Sequence, residues 1–277
     1  MITIIIPTFN SNDKLKRLLK TIPFDNKFQV IVIDDFGDES AKVLKPDFPE
    51  VDFYLNENNK GAGGARNTGL KYATGDYVLF ADADDKFITE ELRDIPLTIN
   101  EKSDVIFFLP DSFLESNEDM QGIRHKKYKW LIERYRYGEQ IIRYQFYVPW
   151  SKLIKLDLLR KHKIIFDEIM YSNDVMFSLQ VGVLASKIEV RERTLYLVED
   201  GGGSLTKNRS EGSLMMRLTV LWRYNDFLQS NGLSDMQVTC LPLLFKLFKL
   251  SPAKAIKYAI KILLSKQPLL IDYRYRK

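Results

Sequence analysis

Three runs near the start of the chain, Ile2–Ile6, Phe28–Ile33 and Tyr77–Ala81, are apolar at nearly every position. Each stops abruptly, at Pro7, at Asp34-Asp35 and at Asp82–Asp85. Such a run has no solvent face, which suits a strand of a sheet covered on both sides. A further run, Val51–Leu55, reads the same way. Between the runs the spacing becomes helical. Leu15, Leu18 and Leu19 form a stripe after an N-cap candidate at Asn10 or Ser11, and Ala65–Tyr72 follows a glycine turn at Gly61–Gly64. Strand–helix alternation predicts an α/β fold with a mostly parallel central sheet flanked by helices. Such sheets bind ligands at the carboxyl ends of their strands. Polar clusters stand at those ends: Thr8-Phe9-Asn10, Asp34-Asp35 and Asp82-Ala83-Asp84-Asp85.

Further along, Val105–Leu109 reads as another strand and Glu189–Val198 as one or two more. Residues 111–147, rich in Tyr, Arg and Lys, read as helices and loops. Gly201–Gly203 reads as a flexible turn, and from Ser210 the pattern is helical. The 277 residues, 45% hydrophobic and 28% charged, can bury a core without staples. A single cysteine, Cys240, excludes an internal disulfide framework. The N-terminal run lacks a basic flank and ends at Pro7, so no secretory leader is expected. No stretch approaches ~18 uninterrupted apolar residues, so no membrane span is expected either. Net charge is +4, but residues 241–277 hold nine Lys/Arg against the single acid Asp272. The remaining 240 residues carry 32 basic and 36 acidic side chains, so the body is mildly acidic. That distribution argues against nucleic acid as a partner.

Carboxylates spaced as in Asp82-Ala83-Asp84 at a strand exit can reach one hard cation together, although an isolated D-x-D more often just ends a strand. Asp34-Asp35 could accept hydrogen bonds from a nucleobase or ribose, or could form a turn. Two acidic clusters on one sheet edge repel each other, a cost offset by a bound cation or by ligand donors. Asn58–Gly69 reads NNKGAGGARNTG. Its glycines allow close backbone approach, and Arg66 is a permanent cation. It is neither a Walker loop nor a dinucleotide fingerprint.

In this order the segments resemble the family 2 glycosyltransferases of the GT-A fold. The matching stretches are IIIPTFN (4–10), VIVIDDFGDES (30–40), NKGAGGARNTGLKYATGDYVLFADADD (59–85), PWSKL (149–153) and NDVMF (173–177). The resemblance spans about residues 1–205. It implies a GT-A nucleotide-diphospho-sugar transferase with a donor half at 1–108, an acceptor half at 109–205 and a C-terminal helical extension at 206–277. It implies a donor site of Pro7, Phe9 (where Tyr is usual), Asp34, Asp35, Arg66 and Asp82. Asp84 with Asp82 would bind Mn²⁺ or Mg²⁺, and Asp174 would be the catalytic base of a single inverting displacement. Trp150, Lys152 and Asn173 are candidates for the acceptor side, with core packing an equal alternative for Trp150. The implied reaction moves a sugar from a nucleotide sugar, UDP-linked by family habit, to a glycan or lipid-linked acceptor in bacterial surface polysaccharide synthesis. Two departures stand out: Asn173 replaces the usual Glu, and Ser151 replaces a frequent Asn. Gln140–Tyr144 superficially resembles the Q-x-x-R-W motif of processive synthases, but it precedes Asp174 and lacks the Trp. It reads as an exposed helix, so single addition is favoured. His125 and His162 read as surface residues. The rivals are a sugar-phosphate nucleotidyltransferase, whose glycine-rich signature after the first strand is absent, and an inactive glycan- or nucleotide-binding scaffold.

Ser251-Pro252 reads as the start of a basic amphipathic helix ending near Gln267-Pro268. Lys254, Lys257 and Lys261 lie on one face, with Ile256, Ala259, Ile260 and Leu263 opposite; Phe245 and Phe248 stand beside Lys246 and Lys249 upstream. One expectation is peripheral attachment to the inner face of the cytoplasmic membrane. The alternative is packing of the apolar face on the catalytic body or on a second subunit of a homodimer.

Overall fold

The computed structural model describes residues 1–99, 102–201, 208–265 and 267. Two compact units emerge, Met1–Gly202 and Gly203–Lys277. The first contains strands β1 (Ile2–Thr8), β2 (Phe28–Asp34), β3 (Val51–Leu55), β4 (Tyr77–Phe80), β5 (Lys86–Phe87), β6 (Val105–Leu114), β7 (Asn117–Gln121), β8 (Lys152–Lys155) and β9 (Ile188–Asp200). Its helices are α1 (Asn12–Leu19), α2 (Ala62–Tyr72), α3 (Thr89–Thr98), α4 (Lys126–Arg136), α5 (Ile142–Gln145), α6 (Leu156–His162) and α7 (Val175–Leu184). One sheet runs β3-β2-β1-β4-β8-β6-β9-β5, with β7 paired to β6.

β1 to β4 are mutually parallel where they pair. Every residue of β1 and β4 is buried, as an apolar run covered on both faces requires. Register decides what stands at the sheet edge. Thr8 pairs with Asp34, so Phe9 and Asp35 leave the sheet side by side. Ile5 pairs with Phe80, and the Ala81 N–H continues that ladder to the Ile5 carbonyl, which brings Asp82 to the same edge. β8 then enters antiparallel between β4 and β6, while β6 and β9 are parallel. β6 runs through residue 108, so residues 1–108 and 109–201 share one sheet.

Two sequence expectations need correction here. Residues 111–147 are not only helices and loops, because β6 extends to Leu114 and turns into β7. All five residues of β7 are exposed, so no apolar alternation marks it. Gln140–Tyr144 is not an exposed helix: Ile141, Ile142 and Tyr144 are buried. The Arg143 guanidinium donates to the Gly182 and Ala185 carbonyls at 3.0 and 2.7 Å, holding the end of α7. That satisfies backbone acceptors a helix leaves open at its C-terminus.

The second unit packs α8 (Glu211–Ser230), α9 (Leu241–Leu250) and α10 (Pro252–Leu264) around Leu214, Leu218, Cys240, Leu244, Leu247, Ala255 and Ile262. Asn225 fixes the link into α9: it donates to the Val238 carbonyl at 2.8 Å and accepts from the Val238 N–H at 2.9 Å. Pro252 opens α10 as expected, although the Ser251 hydroxyl makes no capping bond. Among the described residues, no helix is long and apolar enough to cross a membrane. Gly202, Gly203, Pro268 and the basic residues Lys266, Arg274, Arg276 and Lys277 lie outside the described residues.

Candidate active site

The parallel strand ends form one face. Pro7 is buried in β1, and Phe9 stands exposed after it with the Lys60 ammonium 4.3 Å from its ring centre. Asn10 takes a left-handed φ of 47°, which Asn tolerates better than most residues. Its side chain both accepts from the Asp38 N–H and donates to the Asp38 carboxylate. Asp34 and Asp35 are both buried, and their roles divide. Asp34 accepts the Gly37 and Ala41 N–H groups at 3.0 and 2.9 Å, so it shapes its own loop. Asp35 reaches across to the glycine-rich segment, accepting from Asn56 Nδ2 and the Gly61 N–H, each at 2.7 Å.

Asp82, Asp84 and Asp85 converge after β4, each offering a carboxylate oxygen within 4.8 Å of the others. Burial, then the Asp82 charge, pushes the Asp84 carboxyl up to about 6. Burial also raises Asp85 well above the ordinary carboxylate range, with the charges of Asp84 and Asp82 adding to it. Asp85 Oδ1 accepts the Glu199 N–H at 2.7 Å; its buried Oδ2 makes no well-formed hydrogen bond, and the Tyr196 hydroxyl is the group that faces the same carboxyl. A buried, unsatisfied carboxylate oxygen beside two more carboxylates is the donor set a hard divalent cation takes. The residues present therefore fit Mn²⁺ or Mg²⁺. Asp85 joins the pair expected from D-x-D.

The acidic loop is held from behind by groups that sequence reading missed. Buried Glu199 receives both Lys14 and Arg17 of α1, and Arg17 also donates to the Asp84 carbonyl. The Tyr196 hydroxyl accepts the Asp82 N–H at 2.8 Å. Trp150 stacks on Tyr196 at 5.7 Å. Tyr196 and Glu199 each lie 114 positions from the loop residue they bond, and no local motif announces them.

Arg66 joins the two halves of the site. Its buried guanidinium donates to Asp82 Oδ1 at 2.5 Å and to Asn173 Oδ1 at 3.1 Å. Asp174, the next residue, sits at the N-cap position of α7, yet its side chain makes no capping bond. Its carboxyl is raised by burial, with Arg66 the largest opposing influence. Phe177, one turn on, packs edge-on against Phe80 and stacks on Phe166, which pins α7 to the sheet. The glycines upstream are spatially required. A Cβ on Gly63 would lie 2.2 Å from the Asp167 carbonyl oxygen and 3.2 Å from Asn173 Cβ. Gly63→Ala is therefore expected to lower stability by about 1–3 kcal/mol. By displacing Asn173 it should also lower turnover more than donor affinity. Thermal melts and steady-state kinetics check both, and an unchanged melt would overturn the crowding argument.

Trp150 and Lys152 are buried. Lys152 donates to the Phe146 carbonyl at 2.9 Å, and burial pulls its ammonium down to about 7. Ser151 between them has φ 57°, which explains why Asn suits this position. His162 is exposed, as expected. His125 is not a surface residue: it is buried, with Nδ1 2.7 Å from Ser112 Oγ and 3.3 Å from Asp111.

The profile described as "Glycosyl transferase family 2" matches residues 3–162. The chain belongs to glycosyl transferase family 2. This family 2 chain is 28% identical over 229 residues to glycosyltransferase GlyA of Streptococcus pneumoniae, covering 74% of this chain and 31% of GlyA. It is 25% identical over 203 residues to poly(ribitol-phosphate) beta-N-acetylglucosaminyltransferase TarS of Staphylococcus aureus, covering 70% and 34%. It is 28% identical over 126 residues to the UDP-Glc:alpha-D-GlcNAc-diphosphoundecaprenol beta-1,3-glucosyltransferase WfgD of Escherichia coli, covering 44% and 49%. The chain thus spans about a third of the length of GlyA and TarS. The structure of S. aureus TarS 1–349 in complex with UDP-GlcNAc superposes with a TM-score of 0.68 at 21% identity, covering 95% of this chain and 78% of that one. The likeness is one of fold, and the family 2 chain has the α/β GT-A fold expected for it.

Proposed function

We propose that this chain transfers a sugar, with inversion, from a nucleotide-diphospho-sugar to a hydroxyl of a glycan or lipid-linked acceptor. The observation that carries the reading is the Arg66 bridge, which joins the acidic loop through Asp82 to Asn173, the neighbour of the candidate base. Residues 1–108 form the donor half and 109–205 the acceptor half. Phe9 and Asp35, with Pro7 and Asp34 shaping their strand ends, take the base; Arg66 and Asp82 take the ribose and diphosphate side. UDP is the favoured nucleotide, supported by the UDP-GlcNAc in the TarS complex and the UDP-Glc in the name of WfgD. Asp84 and Asp82, with Asp85 behind them, would hold Mn²⁺ or Mg²⁺, which when bound supplies positive charge against the leaving diphosphate. PcManGT from Pyrobaculum calidifontis, a fold neighbour with a TM-score of 0.53, is described in complex with GDP-Man and Mn²⁺.

Asp174 accepts the proton of the attacking hydroxyl. An uncapped, half-buried carboxylate is a stronger base than a solvated one, and Arg66 opposes the rise that burial imposes on it. A single base opposite the leaving group gives one displacement and inversion. Trp150 and Lys152 back the acceptor side from within the core, and Asn173 orients Arg66 without adding a second negative charge. The name of TarS specifies a poly(ribitol-phosphate) acceptor and that of WfgD a diphosphoundecaprenol-linked sugar, which support a polymer or lipid-linked acceptor here. We therefore place the enzyme in surface polysaccharide synthesis at the inner face of the cytoplasmic membrane.

A thermal-shift screen of UDP, GDP, CDP, TDP and their sugars, each with and without Mn²⁺, tests the donor half. A ligand that binds only the folded state raises the midpoint with its concentration. One nucleotide that stabilises the protein only with metal is the expected result. No shift with any of them in a folded sample would overturn the reading.

A further inference from the structure

The second unit carries more apolar surface than its core uses. Around α9 and α10 the residues sort into three rows, not the two expected from the sequence. The buried row is Leu244 and Leu247 on α9, and Ala255 and Ile262 on α10. Beside it on each helix, by 3.6-residue geometry, runs a second apolar row: Leu241, Phe245 and Phe248 on α9, and Ile256, Ile260 and Leu263 on α10. Phe245, Phe248, Ile256, Ile260 and Leu263 are 50–60% exposed. The third row is basic: Lys246 and Lys249 on α9, and Lys254, Lys257 and Lys261 on α10. No acidic residue occurs from 241 to 264. On each helix the exposed apolar row is thus distinct from the row that packs on the helical core.

We infer that α9 and α10 dock on an anionic lipid surface, their exposed apolar rows entering the acyl boundary and Lys246, Lys249 and Lys257 meeting the headgroups. Several exposed large apolar residues would be costly in water on a monomer, and they call for a cover. Lys254 pairs with Glu211 and Lys261 lies over the Trp222 ring, so the charge left for a partner is that of Lys246, Lys249 and Lys257. With no acid among them, it selects a cover that is negative as well as apolar, which an anionic bilayer is. Neither helix is long enough to span, so both lie in the interface. Lysine stems extend the apolar contact while their ammonium groups stay at headgroup level. The inference deepens the reading of a membrane-held acceptor by naming the surface that holds the enzyme there.

The test uses the full chain and reads vesicle binding without any sugar transfer, so either reading can fail alone. The protein is expected to float with phosphatidylcholine vesicles containing phosphatidylglycerol, and to bind vesicles of phosphatidylcholine alone far more weakly. Lys246→Gln with Lys257→Gln should weaken the anionic binding roughly thirty-fold. Phe245→Ser with Ile260→Ser should weaken it at least about ten-fold. All four positions are exposed, so the variants should fold, which circular dichroism checks. Absence of binding, equal binding to neutral vesicles, or unchanged binding by both variants would overturn the proposal. So would a sedimentation-detected dimer that Phe245→Ser with Ile260→Ser dissociates, since a second copy would then be the cover.

Discussion

Asp174→Asn is expected to lower turnover by roughly 10²–10⁴-fold while leaving donor binding nearly unchanged. Asn keeps the size and the α7 N-cap position but cannot accept a proton. Because the Asp174 side chain makes no capping bond, the substitution removes little local structure. UDP release from a UDP-sugar, with acceptor or with water, measures the loss, and thermal shift measures donor binding. Loss of both together would refute the role. The pH dependence follows from the same group. Its folded-state value is raised by burial, so the acid limb of the rate profile should lie above the ordinary carboxylate range. Stability has the opposite sign. A carboxyl raised on folding binds its proton more tightly in the native state, so native stability falls as pH rises through that window. Asp174→Asn should remove this group's share of the fall, the raised Asp84 and Asp85 keeping theirs, and leave the unliganded variant at least as heat-stable as the parent at neutral pH.

Asp84→Ala is expected to weaken Mn²⁺-dependent donor binding by about 100-fold, with little change in the binding seen without metal. Asp84 stands beside two other carboxylates, and burial with the Asp82 charge pushes its carboxyl up to about 6. Protons therefore compete with the cation, and the metal affinity of the parent protein should fall about five-fold between pH 6 and pH 5. A chelator should remove the metal-dependent part of the thermal shift. Calorimetric titration of Mn²⁺ across that range reads both effects. An unchanged Mn²⁺ dependence in the variant would remove Asp84 from the site. Glu199 offers an internal control. It binds Lys14 and Arg17, and Arg17 holds the Asp84 carbonyl, so Glu199→Gln should loosen the loop and weaken the metal effect less than Asp84→Ala does.

The donor edge was legible because its information is local. A fully apolar run that ends in a polar cluster declares both a buried strand and what stands at its carboxyl end. Phe9, Asp35 and Asp82 could thus be placed on one edge before any register was known. The β6–β7 hairpin was invisible because β7 is exposed on every residue and has no apolar period. Gln140–Tyr144 misled for a related reason: its polar ends masked Ile141, Ile142 and Tyr144, which only α7 and its neighbours bury.

What the chain determined by itself is the order of the first four buried strands with α1 and α2, the identity of the acids at the strand ends, and the glycines where only a backbone can pass. These depend on residues within a few positions of one another, and composition and spacing record them directly. Tertiary structure alone decided that Arg66 would tie Asp82 to Asn173, that Asp85 would join the acidic pair with an oxygen left over, and that Glu199 would anchor the loop to α1. It also decided which of two apolar rows on α9 and α10 the core would take. Each of these depends on what arrives from elsewhere in the chain. Burial, and with it the desolvation that sets a carboxylate's basicity, is a property of the neighbours a residue acquires on folding and not of the residue itself.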